Sequence, residues 1–173
     1  MKIVLLGYMA SGKSVVGRIL AKNMGLKFID LDAYIEQKEN KSISEIFKQN
    51  GEIYFRIKES EYLMELLDLA APTIISLGGG TPCYGDNLKL IEEHSRSVYL
   101  KASISTIFNR LQHETNQRPL VATIGTDNLQ EYIAKHLFER NPFYEKATYT
   151  IPVNDKKIEA IVEEVSLKLR KNC

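Results

Sequence analysis

Net charge is almost missing from this sequence. Lys plus Arg number 23 against 22 for Asp plus Glu, which gives no electrostatic case for a nucleic-acid or membrane-surface partner. Long apolar runs are missing as well, and no stretch approaches the length of a membrane span. Cysteine is scarce: Cys83 and Cys173 stand far apart and read as free thiols, as expected of a protein kept in a reducing cytoplasm. His94, His113 and His136 have no metal-ligand spacing with each other or with the cysteines, so they read as surface or helix residues. Neither an internal repeat nor a low-complexity linker breaks the chain. What remains is 173 residues, 44% of them hydrophobic, which suits a single domain over 1–173 with a proper core.

The most informative stretch is "GYMASGKS", Gly7 to Ser14, directly behind the apolar run "KIVLL". It fits G-x-x-x-x-G-K-[ST], a spacing that carries meaning only when a strand feeds the loop and a helix leaves it. Both flanks comply. Ile3, Val4, Leu5 and Leu6 read as a buried strand, and "SVVGRILAKNM" carries apolar residues at helical spacing before a stop at Gly25. The backbone of Ala10, Ser11, Gly12, Lys13, Ser14 and Val15 can then surround a phosphate, helped by the helix N-terminus. Lys13 suits the outer phosphates of a nucleoside triphosphate and the Ser14 hydroxyl suits Mg²⁺. A secretory signal is rejected, because the residues after the short apolar run are this loop rather than a cleavage region.

Further strands are expected at 27–30, 73–77, 97–100 and 149–152, with helices at 32–38, 42–50, 53–69, 85–93, 104–113, 128–147 and 156–171. Such alternation predicts an α/β fold, a three-layer sandwich with a central parallel sheet of about five strands flanked by helices. Residues 31–72 exceed what one crossover helix needs, so they read as containing a helical substrate-binding insertion, assigned to 31–62. The polar segment "HETNQRPLVATIGTDN" reads as a lid, assigned to 112–128.

Several residues could select the acceptor of a phosphoryl group. "FIDLD" places Asp30 and Asp32 at the carboxyl end of a strand, where ligands of open α/β sheets collect. Asp30 suits Mg²⁺, through water or through Ser14. Asp32 either accepts a hydrogen bond from an acceptor hydroxyl or only caps the following helix. "SLGGGTP" offers Gly78, Gly79 and Gly80 for close approach to a small ligand. Arg56, Arg118 and Arg140 could hold an anionic acceptor and neutralise the transferring group, and spacing does not divide those roles among them.

With "GYMASGKSVVGRILA", "FIDLD", "FR", "SLGGG", "RPL" and "ERNPFY" in this order, nearly the whole chain resembles the shikimate kinases of the small P-loop kinase superfamily. The resemblance implies transfer of the ATP γ-phosphoryl group to the 3-hydroxyl of shikimate, on the route to chorismate and the aromatic amino acids. It implies one Mg²⁺ per subunit, ATP as co-substrate and a cytoplasmic monomer without nucleic-acid or membrane partners. By the same resemblance Asp32 bonds shikimate hydroxyls and assists deprotonation, Arg56 and Arg140 grip the carboxylate, and the three glycines line the site. Arg118 is the lid arginine that reaches ATP, Arg110 lies near the adenine, Lys13 and Ser14 serve phosphate and metal, and Asp30 lies near the metal.

One departure stands out: Val15 follows Ser14 where the family commonly has a threonine, which touches nucleotide affinity rather than reaction type. Three rivals are weighed. A gluconate kinase would show "HP-x-x-N-x-x-KM", and a nucleoside monophosphate kinase a "DGFPR"-like segment; neither is present. A non-catalytic binding module of the same fold would be expected to lose Lys13, Asp32 or Arg118, and all three are kept.

Overall fold

The computed structural model describes residues 1–112 and 124–170. Five strands, β1 (Lys2–Leu6), β2 (Lys27–Asp30), β3 (Thr73–Ser76), β4 (Arg96–Lys101) and β5 (Tyr149–Pro152), form one sheet in the order β2-β3-β1-β4-β5. Every pairing is parallel. β1 is the middle strand and all five of its residues are buried. That is why it reads as a continuous apolar run rather than an alternating one: a parallel strand covered on both faces has no wet side. Each fully buried Leu or Ile of this core contributes about 1.5–3 kcal/mol by leaving water. β2, at the sheet edge, is only partly covered.

The helices are α1 (Lys13–Met24), α2 (Leu31–Glu39), α3 (Ile43–Asp68), α4 (Asn87–His94), α5 (Ile104–Gln112), α6 (Thr126–Tyr144) and α7 (Ile158–Arg170). A short 3₁₀ turn at Thr81–Cys83 follows the glycine triplet. The two helices expected at 42–50 and 53–69 lie end to end as α3, broken at Gly51, whose φ of 83° and ψ of 172° no helix contains. A side chain would be strained at that φ, so glycine fixes where the break falls. Ser42 and Glu45 close a reciprocal capping box at the start of α3.

α2 and α3 are tied by phenol–carboxylate bonds. Glu39 accepts from Tyr54 (2.8 Å) and Tyr62 (2.6 Å), and Glu65 accepts from Tyr34 (2.7 Å). This brace fixes α2 against α3. Of the two roles left open for Asp32, that of helix cap falls away. Asp30 is the cap, and its Oδ1 accepts from the backbone N–H groups of Asp32 (3.1 Å) and Ala33 (3.4 Å). The helix begins one residue earlier than its apolar pattern implied, so Asp32 falls inside the first turn with its carboxylate left for other work. The expected lid lies mostly outside the described residues, as do Arg118, His113 and Cys173; Cys83 is a free, half-buried thiol.

Candidate active site

The loop from Gly7 to Gly12 joins β1 to α1, whose N-terminus carries no side-chain cap. A helix N-terminus without a side-chain cap suits an anion, which the helix dipole favours there. Lys13, 9% exposed, curls back so that Nζ donates to the carbonyls of Gly7 (2.8 Å) and Tyr8 (3.0 Å). Ser14 Oγ donates to Asp30 Oδ2 at 2.8 Å, which joins the end of β2 to the start of α1. From α5, Arg110 Nη1 donates to the Ala10 carbonyl at 2.8 Å and so clasps the loop from the far side. A cleft of about 400 Å³ runs along this surface, and Lys13, Ser14, Asp30, Asp32, Gly79 and Arg110 all line it.

The acceptor side is organised by the glycine triplet after β3. A Cβ on Gly78 would lie 2.9 Å from Asp32 Oδ1, one on Gly79 3.1 Å from Arg140 Nη1, and one on Gly80 3.1 Å from Arg56 Nη2. Each glycine thus leaves room for one charged group, and the three groups come from α2, α6 and α3. Tyr144 fixes the triplet from above, its buried hydroxyl donating to the Gly79 carbonyl.

The two arginines are held differently. Arg56 donates through Nη1 to Glu59 Oε2 at 2.8 Å and lies 3.8 Å from the centroid of the Tyr84 ring. Glu59 is 1% exposed, and its other oxygen accepts from Thr81 Oγ1 at 2.7 Å, so the buried carboxylate is fully engaged. Arg140 instead sits over the Tyr8 ring, 5.5 Å from its centroid, and no carboxylate among the described residues pairs with it. The Asp32 carboxyl is pushed up to about 6, first by burial and then by the neighbouring Asp30 and Glu59, with Lys13 opposing. Two carboxylates and a desolvated pocket disfavour a third negative charge.

Sequence reading did not single out Glu59, Tyr144 or Thr81. Glu59 had a signal, since it stands three residues after Arg56 on one helix face, where opposite charges meet. Tyr144 stands inside "ERNPFY" but announces no partner until the fold brings Gly79 under it.

A phosphate loop behind the central strand of a parallel sheet, with a second glycine-rich turn beside it, defines a P-loop kinase domain. The shikimate kinase family model matches residues 9–170. A shikimate kinase of Flavobacterium johnsoniae is 48% identical over 95% of this chain and 96% of its own length. The crystal structure of shikimate kinase from Bacteroides thetaiotaomicron superimposes with a TM-score of 0.92 at 34% identity, covering 98% of each chain. That of shikimate kinase from Acinetobacter baumannii in complex with shikimate gives 0.88 at 31% identity, over 99% of this chain and 93% of that one. The chain belongs to the shikimate kinase family.

Proposed function

We propose that this cleft transfers the γ-phosphoryl group of ATP to the 3-hydroxyl of shikimate, giving shikimate 3-phosphate and ADP. One observation carries the reading: Gly78, Gly79 and Gly80 border Asp32, Arg140 and Arg56 in turn, next to the loop that carries Lys13. Two guanidinium groups suit a carboxylate, which they can bind by forked hydrogen bonds, and a carboxylate beside them suits hydroxyls.

The residue roles follow from that placement. Arg140 and Arg56 hold the shikimate carboxylate, with Glu59 fixing the plane of Arg56. Asp32 accepts a hydrogen bond from the attacking hydroxyl and takes its proton as the oxygen bonds to phosphorus and ADP departs. A carboxyl titrating near 6 is ionised enough at neutral pH for that task, and basic enough to be useful. Lys13 moves from its carbonyl partners to the outer phosphates, and backbone N–H groups from 10–15 hold the rest. Phosphoryl transfer asks for little covalent chemistry from the protein, so positioning and charge do most of the work.

The Ser14 hydroxyl and the Asp30 carboxylate, 2.8 Å apart, are a hard-oxygen pair that fits Mg²⁺. Asp30 already uses one oxygen as a helix cap, which favours contact through water. When bound, Mg²⁺ neutralises charge on the β- and γ-phosphates. The reading also includes a single domain over 1–173 with 31–62 as the shikimate-binding part and 112–128 as the lid. Arg118 would act from that lid, and the protein would work as a cytoplasmic monomer. No helix among the described residues is long and apolar enough to cross a membrane.

The test is ADP release from Mg-ATP with shikimate, with gluconate and with no acceptor. ADP formed only with shikimate supports the reading and shows that water is kept out. Equal release with gluconate, or none with shikimate despite binding of both ligands, would overturn it.

A further inference from the structure

Tyr8 belongs to both halves of the cleft. Its main chain lies in the phosphate loop, where the carbonyl accepts from Lys13 Nζ at 3.0 Å. Its side chain, 1% exposed, crosses to α6, where the hydroxyl lies 3.2 Å from His136 Nδ1. His136 and Arg140 stand one helical turn apart, and the Arg140 guanidinium rests over the Tyr8 ring. The imidazole is itself fixed by Tyr132, with ring centroids 4.1 Å apart, and meets Tyr8 edge-on at 6.2 Å.

The surroundings keep both partners neutral. Burial first, then Arg140 and Lys135, hold His136 below its usual range against the opposing pull of Glu139. Burial also raises the Tyr8 phenol. The two groups therefore meet as a protonated phenol and a neutral imidazole, and the tautomer with its proton on Nε2 lets Nδ1 accept from the Tyr8 hydroxyl.

We propose that the Tyr8–His136 hydrogen bond couples nucleotide to acceptor: it transmits the position of the phosphate loop to α6 and makes the hold of Arg140 on the acceptor carboxylate depend on the nucleotide. The physical route is short. A triphosphate that draws Lys13 away from the Tyr8 carbonyl alters the peptide on which the Tyr8 ring hangs. That ring supports Arg140 directly by cation–π contact and, through His136, the helix turn from which Arg140 projects. Tyr8 and His136 are thus positioning residues that act through Arg140. The inference rests on the role given to Arg140 above.

The experiment measures the shikimate dissociation constant by titration calorimetry with and without Mg-AMP-PNP, and kcat and KM for shikimate. It uses the full chain and the Tyr8→Phe, His136→Phe, His136→Gln and Tyr8→Phe/His136→Phe proteins. In the unmodified protein the nucleotide is expected to tighten shikimate by about fivefold or more. Tyr8→Phe and His136→Phe each should bring that factor close to one and raise KM about two- to tenfold, the loss falling on KM more than on kcat. The double variant should be no worse than either single one, and His136→Gln, whose amide oxygen accepts from Tyr8, should restore most of the coupling. Tyr8→Phe keeps the ring, so it tests the bond even if His136→Phe fails to fold. A nucleotide-independent dissociation constant in the unmodified protein, additive losses in the double variant, or coupling retained in Tyr8→Phe would each overturn the inference. Absence of shikimate-dependent ADP formation in the unmodified protein would instead sink the functional reading itself, whatever the variants do.

Discussion

In the proposed site, the phosphate-binding side of the cleft comes from one short run of chain, and the groups it offers are mostly main-chain N–H. The proposed acceptor side draws Asp32, Arg56, Gly78 to Gly80 and Arg140 from four separate segments, and what it offers a ligand is mostly side chains. The first is fixed by where β1 ends and α1 begins. The second depends on packing at a distance: phenol–carboxylate braces hold α2 on α3, Glu59 orients Arg56, and Tyr144 pins Gly79. A site of the first kind tolerates side-chain change and demands a backbone. A site of the second kind can be damaged from outside.

The sharpest way to separate the halves is to remove one charge from each. Lys13→Ala should lower kcat about 10²–10³-fold, because Lys13 meets charge that grows during transfer, while KM for shikimate moves only a few-fold. Arg140→Ala should do the opposite, raising KM for shikimate roughly 10–100-fold with a smaller loss in kcat, as expected for a charged hydrogen bond to a ligand carboxylate. Steady-state kinetics on the two variants decides it. An unchanged shikimate KM in Arg140→Ala removes the carboxylate clamp, and equal losses in both parameters for both variants would dissolve the distinction.

Asp32 lies on the seam, and its titration sharpens the comparison differently. Folding raises this carboxyl to about 6 from an ordinary value near 3.8, so the folded state prefers the neutral form. The stability this group contributes is complete below its ordinary value and is lost as pH rises to about 6. At pH 8 the buried charge is a liability, and Asp32→Asn should stabilise the fold by about 1–3 kcal/mol while lowering turnover sharply. Melting temperatures at pH 8 and at pH 4 test this. A gain that fails to shrink at the lower pH would mean that burial does not set the titration of Asp32.

The same contrast explains what could be read from the sequence. All five strands and the phosphate loop were legible, because each is written in consecutive residues: a buried run, a glycine spacing, a helix stop at Gly25. The break in α3 was legible because only glycine suits it. The cap of α2 was not legible, since which aspartate caps depends on where β2 gives way to helix, and "FIDLD" offers two candidates. The acceptor residues were recognised as types in a family pattern, but their pairing was not visible. Nothing local says that Gly80 faces Arg56 rather than Arg140, or that Tyr8 meets His136 across 128 positions. Those facts belong to the packing of helices on the sheet, and only tertiary structure supplies them.

The smallest expected effect is the cleanest probe of that separation. Val15 lines the mouth of the phosphate cleft, 48% exposed, where the family commonly has a threonine. Val15→Thr keeps the shape and adds one hydroxyl that stays wet when no nucleotide is bound, so stability should change by less than about 0.5 kcal/mol. With ATP present the hydroxyl gains an acceptor at the α-phosphate, and KM for ATP should fall about two- to threefold, the worth of one modest hydrogen bond. The shikimate KM measured at saturating ATP should not move, because the Val15 side chain is half exposed at the cleft mouth, whereas the Tyr8 ring is buried against α6. A matching fall in the shikimate KM would show that the phosphate loop speaks to the acceptor through its whole length. In that case Tyr8 would be one link among several, and the division between a backbone-built half and a packing-built half would need to be redrawn.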